Sequence, residues 1–392
     1  MCTPLLSSRF GPCIPGLGLS VISEGTLMPS EFLSYSRSAL VFGPKAFADL
    51  GHYAKARGFR RPLLVADRGI VKSGYAERAR HSLESEGIGA ALFSDFGENP
   101  DTDQIERGRA AGIAHSVDSL VALGGGSSLD CAKGINFLLT NGGHIRDYWG
   151  YDKAKNPLLP SIGVPTTTGT GSEAQTYALI SDSETKVKMA VGAPSAAFGL
   201  VILDPEVACT QPRVVLATAG YDAISHAVET AATTRRNLAS AALSRESWRL
   251  LVANFERLLR NPDDIDAAGN LQYGAYLAGS AIEHSMLGGA HATANPLTAA
   301  YGLTHGLAIG LMLGPAIMIN GTRPYCSLEG FSLTRIGDLA RAAGFPRRLR
   351  DLSISPDDID NLANAAAQQW TGRFNPRPFD AILAREMYQC AY

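Results

Sequence analysis

The chain has 392 residues, 45% hydrophobic and 18% charged, which is long enough to bury the cores of two domains. A formal net charge of −2 excludes a nucleic-acid or membrane-surface partner held by basic charge. The six cysteines (Cys2, Cys13, Cys131, Cys209, Cys326, Cys390) form no CxxC pair, and the start shows no basic stretch followed by an apolar core. Free thiols in a cytoplasmic protein are therefore expected.

Residues 1–31 are rich in Ser, Pro and Gly, lack periodicity, and read as a loose extension. From Ser38, SALVFG reads as a strand, Pro44 to Arg57 as a helix, and PLLVADRG as a buried strand ending at Asp67. A single helix is expected over VKSGYAERARHSLESEG, stopped by its last glycine. AALFSDFG is a strand, Asn99-Pro100 a turn, and Thr102 to Ala114 a helix. SLVALGGGSSLDCAKGINFLL runs strand, glycine turn, helix, and residues 140–160 form a polar loop. SIGVPTTTGTGSEA is a strand entering a Thr/Gly turn; TYALISD and KVKMAVG alternate like a β-hairpin, and LVILDPE is a last strand. Such alternation predicts a doubly wound, mostly parallel α/β domain over residues 32–207. Beyond Asp204-Pro205, Ala/Leu-rich helical periodicity takes over, predicting an all-α domain over residues 208–392.

Two turns have the composition of an anion cradle. Gly124-Gly125-Gly126-Ser127-Ser128 lies between strand and helix, where backbone N–H groups and the helix dipole suit a pyrophosphate. A glycine turn with a serine N-cap explains it equally well. Pro165 to Glu173 offers five hydroxyls and two glycines for ribose, phosphate or amide groups, or forms a plain surface turn. Asp67, at a strand end, suits an adenosine 2′-OH and repels a 2′-phosphate, or caps the next helix.

The helical half carries the metal-type residues. Asp222 and His226, four apart in YDAISHAVE, share one helix face. GGAHATANPLTAAYGLTHGLAIGLMLGP, from Gly288 to Pro315, is apolar and contains His291 and His305 but no acid, lysine or arginine. Any one of these histidines is explained as a partnered core residue. Together, one carboxylate and three imidazoles form a donor set for a divalent metal with one open position.

DAISHAVE followed by HATANPLTAAYGLTHG resembles the metal-binding half of the iron-containing (group III) alcohol dehydrogenases, and the likeness extends over roughly Phe32 to Tyr392. The resemblance implies the two-domain architecture shared with dehydroquinate synthase. It implies that Asp222, His226, His291 and His305 hold Fe(II), with Zn(II) the alternative, and that hydride passes between a small alcohol and NAD. By position in the family's motifs, Gly125, Gly126, Ser127 and Asp130 would hold the pyrophosphate. Thr166 and Thr167 would lie by the adenosine half and Ser172 nearer the nicotinamide, with Asn99 and Lys188 also touching the cofactor. An Asp at position 67 goes with NAD in the family. Tyr177 and Ile282 would face the substrate, a small alcohol or aldehyde, and a homodimer or larger homo-oligomer is expected.

Two features depart from the family. Many members carry a proton-relaying histidine four residues after the third ligand; here Asn295 stands there, either orienting substrate or cofactor or capping a turn before Pro296. A helix usual between LARAAG and FPRRLRDL is missing, Gly344 meeting Phe345 directly. Glycerol dehydrogenase-like and metal-free maleylacetate reductase-like oxidoreductases, a dehydroquinate synthase-like lyase and a non-catalytic paralogue are the alternatives. The intact donor set disfavours the second, and the absence of Lys and Arg from Gly288–Pro315 disfavours the lyase.

Overall fold

The computed structural model describes residues 30–33 and 38–392. The loose extension expected over residues 1–31 lies outside the described residues except for Ser30 and Glu31, which belong to a strand instead.

The main sheet contains β1 (Ser30–Leu33), β2 (Ala39–Phe42), β3 (Pro62–Val65), β4 (Ala91–Phe93) and β5 (Ser119–Gly124). A second, small sheet begins with β6 (Gly150–Tyr151). The main sheet resumes with β7 (Ser161–Pro165); β8 (Tyr177–Ser181) and β9 (Lys188–Gly192) join β6, and β10 (Leu200–Leu203) completes the main sheet. Strand order is β1-β2-β10-β7-β5-β3-β4, parallel throughout except for β1 against β2. Strands β3, β5 and β7 are buried along their whole length, as parallel strands covered on both faces must be. The hairpin expected from TYALISD and KVKMAVG forms, antiparallel from Tyr177 to Ser181, but outside the main sheet.

Helices α1 (Leu50–Ala56), α2 (Arg68–Lys72), α3 (Tyr75–Ser85), α4 (Thr102–Ala114) and α5 (Gly126–Asn141) connect these strands. The single helix expected from Val71 onward is broken into α2 and α3 at Gly74, whose φ of 84° is a left-handed conformation that stops a helix. From β3 the chain moves outward to β4, and β5 then returns to the other side of β3 and continues toward β7. The direction of winding reverses between β3 and β5, so a crevice opens beyond their carboxyl ends, where ligands bind in sheets of this type.

After β10 come α6 (Pro205–Cys209), α7 (Arg213–Ala232), α8 (Leu238–Arg260), α9 (Ile265–His284), α10 (Gly289–Tyr301) and α11 (His305–Asn320), then α12 (Leu333–Ala343), α13 (Ile359–Ala367) and α14 (Ala381–Ala391). Their core gathers Tyr221, Trp248, Phe255 and Tyr388, all buried; a side chain such as Phe255 contributes ~1.5–3 kcal/mol by burial. Gly344 ends α12, and Phe345 packs edge-on to Tyr221 and against Gly310, taking up the space beside α11. Among the described residues no helix is long and apolar enough to cross a membrane.

The two halves meet backbone to backbone. A Cβ on Gly279 of α9 would lie 2.4 Å from the Gly171 carbonyl oxygen, so neither position has room for a side chain. Nearby, Gln272 Nε2 donates to the Pro165 carbonyl at the end of β7 (3.1 Å).

Candidate active site

Asp222, His226 and Glu229 lie along one face of α7, all buried. Helix α10 brings His291 opposite them, and α11 starts with His305. Gly306 makes that approach possible, since a Cβ there would sit 2.2 Å from the Thr218 carbonyl of α7. Three imidazole Nε2 atoms converge on one oxygen: Asp222 Oδ1 is 3.4 Å from His226, 3.6 Å from His291 and 3.6 Å from His305. The Nε2 atoms of His226 and His291 are 3.2 Å apart. Asp222 Oδ1 is buried without a hydrogen-bond partner. Bonds of about 2.0–2.2 Å around a four-coordinate ion put neighbouring donor atoms ~3.3–3.6 Å apart; the donor atoms of Asp222, His226 and His291 all lie within 4.8 Å of one another and can share a divalent cation, with His305 meeting them at Asp222 Oδ1.

The charge states of Asp222, His226 and His305 agree with that fit, whereas His291 must give up a proton to ligate. Burial alone would push Asp222 up, but the surrounding imidazoles outweigh it and hold the carboxyl well below its usual range. Burial lowers His226 to about 4 and His305 to about 3, leaving both neutral with lone pairs available. His291 is raised to about 9: burial opposes its charge, but Glu229 and Asp222 prevail. Its Nδ1 meets Glu229 Oε2 at 2.5 Å, while Glu229 Oε1 accepts from the Ala290 N–H at 2.8 Å. Sequence reasoning missed Glu229. The signal was its spacing, three after His226 and seven after Asp222, which continues the same helical stripe.

The cluster opens into a cleft of ≈ 1130 Å³ that runs to the carboxyl edge of the main sheet. Every residue singled out above as a cofactor, metal or substrate candidate lines it, as does Asn295. At the sheet edge Asp67 serves as N-cap of α2, Oδ1 accepting from Gly69 N (2.7 Å) and Ile70 N (3.0 Å), while Oδ2 accepts from the Ser128 hydroxyl (3.1 Å). The capping alternative for Asp67 is thus realised, with the side chain still at the cleft wall. Gly125 and Gly126 begin α5, and a Cβ on Gly126 would stand 2.8 Å from Thr170, so the turn keeps its floor clear only with glycine. The Ser127 hydroxyl accepts from Asn99 N at 3.3 Å, and Lys188 Nζ donates to Asn99 Oδ1 at 3.2 Å. Burial lowers the Lys188 ammonium. Thr166 is tied to Gly124 through its backbone N–H (2.9 Å), and Thr167 lies against Gly125.

Asp130, expected beside a pyrophosphate, lines the cleft; it accepts from the Ser172 hydroxyl (2.5 Å) and from Leu179 N (3.1 Å), so it also braces the Thr/Gly turn and β8. One turn on, Lys133, also missed from sequence, donates to the carbonyls of Ser172 (2.7 Å), Gln175 (2.6 Å) and Tyr177 (2.8 Å). Burial lowers its ammonium to about 8. Asn295 lies inside α10, which continues through Pro296, so there is no turn for it to cap. Its Nδ2 donates to Gln369 Oε1 at 3.0 Å.

The crevice at the carboxyl ends of the parallel strands thus faces a buried acid–histidine cluster across one cleft. The sequence profile described as "Iron-containing alcohol dehydrogenase" matches residues 38–205, and that described as "Fe-containing alcohol dehydrogenase family, C-terminal" matches residues 216–330. Alcohol dehydrogenase 4 of Schizosaccharomyces pombe is 32% identical over 357 residues, covering 87% of this chain and 85% of its own. The NAD-dependent methanol dehydrogenase of Bacillus methanolicus is 28% identical, covering 86% of this chain and 94% of its own. The solved structure of an alcohol dehydrogenase from Oenococcus oeni superposes with a TM-score of 0.87 at 26% identity, covering 93% of this chain and 100% of that one. The chain belongs to the iron-containing alcohol dehydrogenase family, a family of oxidoreductases that interconvert alcohols and aldehydes.

Proposed function

We propose that this chain interconverts small alcohols and aldehydes with NAD, using one divalent ion held by Asp222, His226, His291 and His305. Iron is favoured by the family's description, with zinc the alternative, since oxygen and nitrogen donors suit both. The observation that carries the reading is the convergence of three imidazole nitrogens on one unpartnered carboxylate oxygen, in the same cleft as the glycine turn. When bound, the ion supplies Lewis acidity toward an alcohol or carbonyl oxygen, and the nicotinamide supplies the hydride acceptor.

The chain's own residues bind, orient and shield. Residues 32–207 hold the dinucleotide: Gly125, Gly126 and Ser127 offer backbone N–H groups at the start of α5. Thr166 and Thr167 serve the adenosine half, Ser172 the nicotinamide side, and Asn99 with Lys188 the ribose hydroxyls. Asp67, two residues beyond β3, disfavours a 2′-phosphate and so favours NAD; the name of the Bacillus methanolicus relative supports the same cofactor. Residues 208–392 hold the ion and, with Tyr177, shape the substrate end through Ile282 and Asn295. Glu229 accepts the Nδ1 proton of His291 and leaves Nε2 free to ligate. Asn295 orients rather than titrates, so it does not itself carry the hydroxyl proton. A cytoplasmic homodimer or larger homo-oligomer is part of the same proposal.

The test is NAD reduction with a panel of short alcohols. Chelation should abolish turnover, added Fe(II) or Zn(II) should restore it, and His226→Ala should remove it beyond rescue. Turnover that survives both chelation and His226→Ala would refute the metal centre.

A further inference from the structure

The carboxyl edge of the main sheet carries two carboxylates side by side. Strands β3 and β4 run parallel with Val65 opposite Phe93, and the Ala66 N–H donates to the Phe93 carbonyl at 3.1 Å, so the pairing runs past the strand ends. Adjacent strands lie about 4.8 Å apart. Asp67 and Asp95, each two residues beyond that pair, are therefore neighbours, and both line the cleft. Asp67 is nearly saturated. It accepts from Gly69 N, Ile70 N and the Ser128 hydroxyl, and a carboxylate has about four lone-pair positions in all. What is left suits one ribose hydroxyl.

Asp95 is engaged differently. Its Oδ1 accepts from Arg68 Nη2 (2.6 Å) and its Oδ2 from Arg107 Nε (2.7 Å), while Arg107 Nη2 also donates to the Asp95 carbonyl (3.3 Å). The two guanidiniums hold the Asp95 carboxyl below its usual range. Both arginines line the cleft. Arg68 follows Asp67 directly, and Arg107 comes from α4, the helix after β4. A third acid, Glu98, lines the same stretch, and Lys188, further along the cleft, is held on Asn99.

In parallel sheets that bind dinucleotides, an acid at a strand end takes the adenosine ribose, and an arginine nearby accommodates a 2′-phosphate. A guanidinium meets a carboxylate and a phosphate with the same forked donors. Here two such arginines stand beside the ribose acid, and Asp95 already occupies both. A cofactor with a free 2′-hydroxyl leaves these pairs intact. A 2′-phosphate would have to take the arginines over and leave the Asp95 carboxylate, next to Asp67, facing its charge. All three side chains are exposed, so the pairs are weak and one substitution releases them. We propose that Asp95 is a second determinant of cofactor choice, a positioning residue that withholds the Arg68 and Arg107 guanidiniums from a 2′-phosphate. The proposal rests on the NAD-linked reading above.

The experiment compares kcat/KM for NADP and for NAD, using the metal-loaded protein and a short alcohol. Asp95→Asn keeps the shape and removes the charge, and should raise the NADP-to-NAD ratio about tenfold or more. Adding Arg68→Gln and Arg107→Gln to that variant should return the ratio to the parent's value. Calorimetric titration gives a readout that needs neither metal nor turnover: adenosine 2′,5′-bisphosphate should bind more tightly to Asp95→Asn than to the parent, and 5′-AMP equally to both. A ratio and a bisphosphate affinity unmoved by Asp95→Asn, with NAD still turned over, overturn the proposal and leave the dehydrogenase reading standing. A rise that survives loss of both arginines also overturns it, because removal of one negative charge would then suffice. No 5′-AMP binding, together with no turnover on either cofactor, overturns both.

Discussion

Glu229 ligates nothing in the proposed centre, yet it decides which nitrogen of His291 is free. Glu229→Gln keeps the shape and weakens the acceptor, so affinity for Fe(II) or Zn(II) should fall about 10–100-fold with folding intact. Competition against a chromophoric chelator measures this; unchanged affinity would show that α10 alone sets the ring. With the ion chelated, the histidines should govern how stability depends on pH. His226 and His305 lie at about 4 and about 3, below the ~6.5 of an unfolded chain. The unfolded state then binds more protons, and acidification from about pH 6.5 to 4 favours unfolding. His291, at about 9, works in the other direction: its contribution is complete below about pH 6.5 and is lost as pH rises through about 9. Thermal melts of chelated protein should therefore peak near neutrality, and a flat profile would refute these charge states. Asn295→His should add an inflection to the pH–rate profile near the histidine range, ~6.5, since asparagine does not titrate. An unchanged profile would place Asn295 outside the proton's path. The four donor residues were legible because their types are rare in so apolar a segment. Glu229 was not, because its meaning depends on α10 packing against α7, and Gln369 is 74 positions from the Asn295 it accepts from.

Among the elements, those with a chemical start signal were read best. Helix α4 begins and ends where expected, since Asp101 and Gln104 form a reciprocal capping box before Thr102. The break between α2 and α3 was hidden because the pattern of Tyr75, Ala79 and Leu83 follows closely on Val71, and only the φ of Gly74 interrupts it. Strands β8 and β9 showed their pairing in alternation, but nothing in a period of two says which sheet a hairpin joins. Asp204, read as the end of the last strand, does more than cap α6. It accepts from Lys45 N (3.2 Å), Phe47 N (3.0 Å) and Glu206 N (2.9 Å), tying β10 to the segment after β2. Asp204→Ala removes the cap and strands two further donors, so urea unfolding should show a loss of about 2–4 kcal/mol. A loss under about 0.5 kcal/mol would mean that water replaces the carboxylate.

For the whole molecule, cleft width depends on backbone contact between the halves. Gly171 has φ of 64° as well as no room, and Gly279 faces its carbonyl. Gly279→Ala must therefore separate α9 from the Thr/Gly turn, and activity should fall about 10²-fold, the cost of roughly 1 Å of misplacement at the reacting atoms. Unaltered kinetics would show that the seam yields locally. The two-layer plan was legible from the change of texture after Asp204, but the seam was not, because two glycines 108 positions apart carry no mark of their contact.

Lys133 offers a way to watch that seam move. Its ammonium is enclosed by three carbonyls contributed by Ser172, Gln175 and Tyr177, so an amine-selective reagent cannot reach it while the turn is seated. Each labelling event at this lysine then records one excursion of the turn away from α5, and the labelling rate, set against that of an exposed lysine such as Lys55, becomes a clock for how often the protein breathes.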